Sequence, residues 1–267
     1  MNRRHVLFPC EGSMLTGTLD AADGEAALLI VSGGNELRCG PWGSQSRIAA
    51  ALAARGHPVF RFDRRGVGDS EGPNLGFRHS GPDIAAAIAT LRAQCPHVRR
   101  VVAYGNCDAA SALMLAGGAG LDGMVLANPW TFDETSGDTS VETQTSPATV
   151  RAHYRQRLTD PAAIRRLLTG KVPVAKLFAS LRRATASTTT PSMLARDMAR
   201  RLASFDGPVR ILVAGRDRTA QEFIAQWDVL GHRRDSRIAT CPQASHSFVE
   251  PESRDWLLAQ LTEMLAR

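Results

Sequence analysis

The chain has 267 residues, 43% of them hydrophobic, enough for one substantial core and suited to a single enzyme-sized domain carrying an insertion. Its net charge of +6 rests almost wholly on arginine, Lys171 and Lys176 being the only lysines, and no RNP-like, helix-turn-helix or zinc-finger pattern accompanies it, so nucleic acid is not an expected partner. No run of about 18 uncharged apolar residues predicts a membrane span, and five widely spaced cysteines without a CxxC pair suggest neither a disulfide framework nor a zinc site.

"RHVLFPC" and "MLTGTLDA", alternating around Glu11-Gly12, predict a β-hairpin. "AALLIVSGG" (26–34) reads as a buried strand ending in glycines, and "SQSRIAAALAARG" (44–56) as a helix stopped by Gly56. Strands are predicted over 57–66, 98–105 and 121–129, with helices over 83–94 and 108–118 between them. From about 130 to 207 the alternation lapses into a polar stretch and short Arg-rich helical segments; this span is expected to be an inserted helical cap. Its arginines, dense between 151 and 201, make either an anion-attracting surface or a plain solvated face. The rhythm returns with strands over 209–217 and 237–242 and helices over 220–230 and 252–266, the last with Leu257, Leu261 and Leu265 on one stripe. The expected organisation is a core of 1–129 and 208–267 interrupted by a cap of 130–207, with a mostly parallel sheet flanked by helices.

In such a sheet ligands sit beyond the carboxyl ends of the strands, and three residues there form a reactive set. Cys107 follows the strand at 98–105, Asp217 follows the strand opening at 209, and His246 lies in "QASHSF" after the last strand. The order nucleophile, acid, histidine is that of α/β-hydrolases. "Gly105-Asn106-Cys107-Asp108-Ala109" has the form of a sharp strand-to-helix turn that lifts a nucleophile clear of the sheet, with small residues where strand and helix approach. The helix beginning at Asp108 aims its amino end at the sulfur, which favours thiolate. Each residue also has a plain alternative: Cys107 as a small buried hydrophobe, Asp217 as a helix cap, His246 as a solvated loop residue. Asp228 is the competing acid, but it lies inside a predicted helix. "Ser32-Gly33-Gly34-Asn35" follows the first sheet strand, so Gly34 and Asp108 are the expected backbone donors to an oxyanion, each contributing on the order of 3 kcal/mol. The Asp108 carboxylate, beside the sulfur in sequence, is expected to temper the thiol. Neither G-x-G-x-x-G nor a Walker A sequence occurs there, and no cofactor or metal is expected.

Cysteine at the nucleophile position resembles dienelactone hydrolase and its relatives. On "GGNELRCG" (33–40), "FRFDRRGVGDSEG" (60–72) and "GNCDAASA" (105–112), the chain is more closely similar to the first of two hydrolases associated with exosortase A systems. The resemblance covers both halves of the core and implies a cytoplasmic α/β-hydrolase fold without fixing a substrate. In that family a glutamine and an aromatic precede the loop arginine, where Glu36 and Leu37 stand here; Asn35 and Arg38 of this loop are the candidate substrate-binding residues. The chemistry expected is cleavage of an ester or thioester, small or carrier-bound, through an acyl-enzyme on Cys107. An acyltransferase differs only in what attacks that intermediate, and a catalytically silent binding protein of polysaccharide machinery is the reading from another class.

Overall fold

Strands β1 (Asn2–Cys10) and β2 (Ser13–Ala21) form the predicted hairpin, turning through Glu11 and Gly12 at φ 45° and 80°. In the computed structural model, which describes residues 2–133 and 190–267, six further strands follow: β3 (Ala26–Val31), β4 (Val59–Phe62), β5 (Arg100–Asn106), β6 (Gly123–Ala127), β7 (Val209–Ala214) and β8 (Ile238–Cys241). All eight lie in one sheet, ordered β1-β2-β4-β3-β5-β6-β7-β8. β2 runs antiparallel to β1 and β4, and every pair from β4 to β8 is parallel, which is the mostly parallel sheet expected.

Because a strand turns successive side chains to opposite faces, a run apolar at every position feeds two cores. Leu29 and Val31 of β3, Val101 and Ala103 of β5, and Met124 and Leu126 of β6 enter the first. Leu28, Ile30, Val102, Tyr104, Val125 and Ala127 enter the second. Helices α1 (Ser44–Ala53) and α6 (Pro251–Ala266) cover the second core, with Leu257, Leu261 and Leu265 buried as their stripe predicts. Four helices pack on the first: α2 (Gly81–Gln94), α3 (Asp108–Leu115), α4 (Met193–Leu202) and α5 (Arg218–Val229).

Most of the cap expected over 130–207 lies outside the described residues, as do its arginines between 151 and 189. The returning end of that span behaves as core: Leu194, Met198 and Leu202 of α4 are buried beside Leu113 and Met114 of α3. Among the described residues, no helix is long and apolar enough to cross a membrane.

Candidate active site

β5 passes into α3 through a turn that only certain residues permit. A Cβ on Gly105 would lie 2.7 to 2.9 Å from the backbone of Ala109 and Ala110, so strand and helix can approach this closely only with glycine there. Cys107 itself has φ 62° and ψ −127°, an uncommon conformation for a side-chain-bearing residue. It is held by a bond from its N–H to the Ala127 carbonyl at 2.9 Å, while its own carbonyl accepts from Ala110 and Ser111. The result is a half-buried thiol at the amino end of α3.

Asp217 ends the loop after β7 and caps α5. Its carboxylate accepts the N–H groups of Thr219 at 3.2 Å and Ala220 at 3.1 Å, and also His246 Nδ1 at 2.8 Å. The helix-cap alternative therefore coexists with the histidine contact: capping fixes the carboxylate that orients the ring. Asp228, by contrast, is exposed on α5. The other partner of the imidazole is the Cys107 side chain. Burial opposes charge on His246, but hydrogen bonds to Asp217 and Cys107, and then their charges, outweigh it and raise the pKa from 6.5 to about 10. A folded-state value above the unfolded one means this imidazolium stabilises the fold fully below about 6.5, a contribution lost as pH rises through about 10.

The backbone around His246 is set by a residue the sequence reading passed over. Asn128, wholly buried at φ 44°, donates from Nδ2 to the His246 carbonyl at 2.9 Å and to Asn106 Oδ1 at 3.0 Å, while its Oδ1 accepts the Ala214 N–H at 2.8 Å. Asn106 Nδ2 also reaches the His246 carbonyl, at 3.2 Å. One amide thus ties β6 and β7 to the elbow and the histidine loop. The visible signal was an asparagine before proline at a strand end, a residue type that tolerates positive φ. Asn128→Ala is expected to lower kcat by roughly 10-fold or more with little change in KM, and to destabilise the fold by about 1–3 kcal/mol through orphaned buried groups. Steady-state kinetics beside denaturant unfolding checks this; an unaltered kcat would leave Asn128 a purely structural residue.

The Gly34 loop reaches the elbow as expected, and a Cβ on Gly33 would lie 2.6 Å from Asp108 Oδ1. The Gly34 N–H, however, donates to Asp108 Oδ1 at 2.6 Å, and the N–H groups of Ala109 and of Asp108 itself also bond this carboxylate. Both expected oxyanion donors thus converge on the Asp108 side chain. Arg64 Nη2 stands 3.6 Å from its other oxygen and also donates to the Gly34 carbonyl. Burial raises the Asp108 pKa, against the lowering effect of Arg64 and these N–H groups.

Arg38, a candidate for substrate binding, is engaged within the fold. Its guanidinium is committed to Asp63, to Asp69 at 2.9 Å and to Thr18 Oγ1 at 3.1 Å, because three acceptors from β2 and the loop after β4 surround it. Asn35 is exposed and accepts from Asn74 Nδ2 at 2.8 Å. Glu36, at the rim beside His246 and Asp108, was not singled out in the sequence; loss of surrounding water raises its pKa. No group of three or more His, Cys, Asp or Glu among the described residues could hold a metal ion.

Solved structures share this architecture at low sequence identity. An esterase of Pyrococcus furiosus is 14% identical with a TM-score of 0.64, covering 100% of this chain and 91% of its own. A proline iminopeptidase of Mycobacterium smegmatis is 17% identical with a TM-score of 0.59, covering 98% of this chain and 99% of its own. A thioesterase domain from the curacin biosynthetic pathway is 13% identical with a TM-score of 0.57, covering 100% of each chain. No curated protein matches the sequence. The family model described as "Alpha/beta hydrolase family" matches residues 28–260, which take in the parallel strands β3 to β8 and both helical layers but not the β1–β2 hairpin, and the chain belongs to that family.

Proposed function

We propose that this α/β hydrolase cleaves an ester or thioester through a Cys107-His246-Asp217 triad and an acyl-enzyme intermediate. The observation that supports the reading most is the line of contacts from the strained Cys107 through His246 to Asp217 at 2.8 Å, with the imidazole pKa raised to about 10. The imidazolium beside the sulfur makes thiolate the attacking form. The sulfur bonds the acyl carbon, whose oxygen takes the negative charge. As the carbonyl re-forms, the alkoxide or thiolate leaves with the proton from His246. Water then loses a proton to His246 and attacks the thioester, the carbon–sulfur bond breaks, and a carboxylic acid departs. Esterase and thioesterase neighbours agree with this chemistry, and the likeness of "GNCDAASA" to exosortase-associated hydrolases directs the substrate search to cytoplasmic steps of exopolysaccharide production.

Incubation with p-nitrophenyl esters and acyl thioesters, quenching and mass spectrometry tests the reading. An acyl adduct on the peptide carrying Cys107 is expected; turnover with the adduct on another residue overturns it.

In this mechanism the Asp108 carboxylate must vacate the Gly34 N–H before an oxyanion can use it. A neutral amide is displaced more readily, since hydrogen bonds to charged groups exceed neutral ones by about 1 kcal/mol. Asp108→Asn is therefore expected to raise kcat/KM for neutral esters by roughly 5- to 10-fold at pH 8. An unchanged or lower value would mean that the carboxylate does not compete with substrate.

A further inference from the structure

The two faces of the sheet flank Cys107 differently. The chain leaves the described core after Asp133 and rejoins it near Ser192, both on the side of the first core: Ser192 Oγ donates to the Thr131 carbonyl at 2.6 Å and the Met193 N–H to Asp133 at 3.0 Å. On the opposite side, between α1 and α6, lies a cavity of about 240 Å³. Ile48 and Ala51 of α1, Leu257 and Leu258 of α6, Phe248 and Trp42 make its walls mainly apolar. Glu36, Gln45, Arg47, Arg254 and Asp255 also line it. Gly33, Asn106 and Ser247 also line it, and each is the chain neighbour of a site residue: Gly34, Cys107 and His246 respectively. Cys107 and His246 do not themselves line the cavity, but it is bounded by the residues that adjoin them in the chain.

Trp42 adds an independent sign of a ligand. It sits at φ 45° in a turn between Gly40 and Gly43, also at positive φ, and its surface is 53% exposed at this cavity. A bulky residue held in that backbone region is strained, and an aromatic left in water beside an apolar hollow gains by being covered.

We propose that this α1–α6 cavity holds the acyl chain of the substrate, an unbranched aliphatic chain of medium length; the proposal rests on the acyl-hydrolase reading above. The acyl half stays attached at Cys107 through both chemical steps, so a pocket bounded by Asn106 and Ser247, beside Cys107 and His246 in the chain, is within reach in each. Most of the lining is apolar, which suits a hydrocarbon chain better than a polar carrier or other leaving group. A cavity of about 240 Å³ has room for an aliphatic chain of medium length.

The test is a series of p-nitrophenyl esters from acetate to dodecanoate, run on the wild type, on Ala51→Trp and on Leu258→Trp, which fill the cavity from opposite walls. For the wild type kcat/KM is expected to peak near octanoate. In each variant the octanoate-to-acetate ratio of kcat/KM is expected to drop about 10-fold or more. A ratio unmoved in both folded variants overturns the proposal while leaving the hydrolase reading intact. A loss confined to acetate esters of longer alcohols also overturns it, by giving the cavity to the leaving group. Calorimetric titration of octanamide into Cys107→Ala separates the two claims: binding that Ala51→Trp abolishes supports the pocket even if no ester is turned over, and absence of binding overturns it.

Discussion

Cys107→Ala is expected to lower ester turnover by about four orders of magnitude or more while the chain still folds cooperatively. The side chain change is one sulfur at a half-buried position, and the bonds that fix the elbow, from the Cys107 N–H to Ala127 and from Ala110 and Ser111 to its carbonyl, are backbone bonds that alanine keeps. Cys107→Ser is expected to recover little. A hydroxyl must lose its proton during attack and has no counterpart of the thiolate that an adjacent imidazolium favours. Iodoacetamide with peptide mapping supplies a second readout. Burial, with Asp83 beside it, pushes the Cys10 thiol up to about 11, and burial raises Cys95, so both react slowly. Cys241 is buried, which leaves the half-buried Cys39 as the internal competitor to Cys107. Full turnover in the alanine variant, or labelling that favours Cys39, removes Cys107 from the mechanism.

Legibility differed with the kind of interaction involved. The doubly covered sheet could be read because strands buried on both faces are apolar at every position, as β3 and β6 are, and each such run stopped at a polar residue or loop. Chain order places Cys107, Asp217 and His246 at strand ends, and the fold brings the three side chains into contact. Strand ends were drawn too long: 57–66 was predicted where β4 spans Val59–Phe62, because Asp63, Arg64 and Arg65 turn away into buried polar contacts. Side-chain direction was not legible. Arg38 is drawn to Asp63 and Asp69, 25 and 31 residues on, and only the register of β3 against β4 brings them together. The Asp108 carboxylate, expected to temper the thiol, also accepts the Gly34 N–H from 74 residues away, a partner that no local pattern indicates. Asn128 and the α1–α6 cavity depend likewise on how separate elements pack, which no local pattern records.

Asp217→Asn separates two functions that one carboxylate performs. As a helix cap the change is mild: asparagine caps as well as aspartate, its Oδ1 can still accept from Thr219 or Ala220, and a stability loss of under about 1 kcal/mol is expected from that end. At the histidine it is severe. An amide that turns its NH₂ toward Nδ1 selects the tautomer with the proton on Nε2, facing the sulfur, and removes the negative charge that helps hold the imidazolium. Turnover is expected to fall by about 10²- to 10⁴-fold, whereas Asp228→Asn, on the exposed face of α5, leaves it unchanged. The histidine itself reports the cause. In the wild type its ring resonances are expected to titrate near 10 by NMR, and in Asp217→Asn to move down toward 6.5. Stability follows with the same sign: the wild type is expected to lose stability relative to the variant between about 6.5 and 10, the window in which its imidazolium is retained folded and lost unfolded. If Asp228→Asn inactivates and Asp217→Asn does not, the acid of the triad is misassigned; if Asp217→Asn lowers turnover while the His246 titration stays near 10, the loss comes from the helix end and not from the ring.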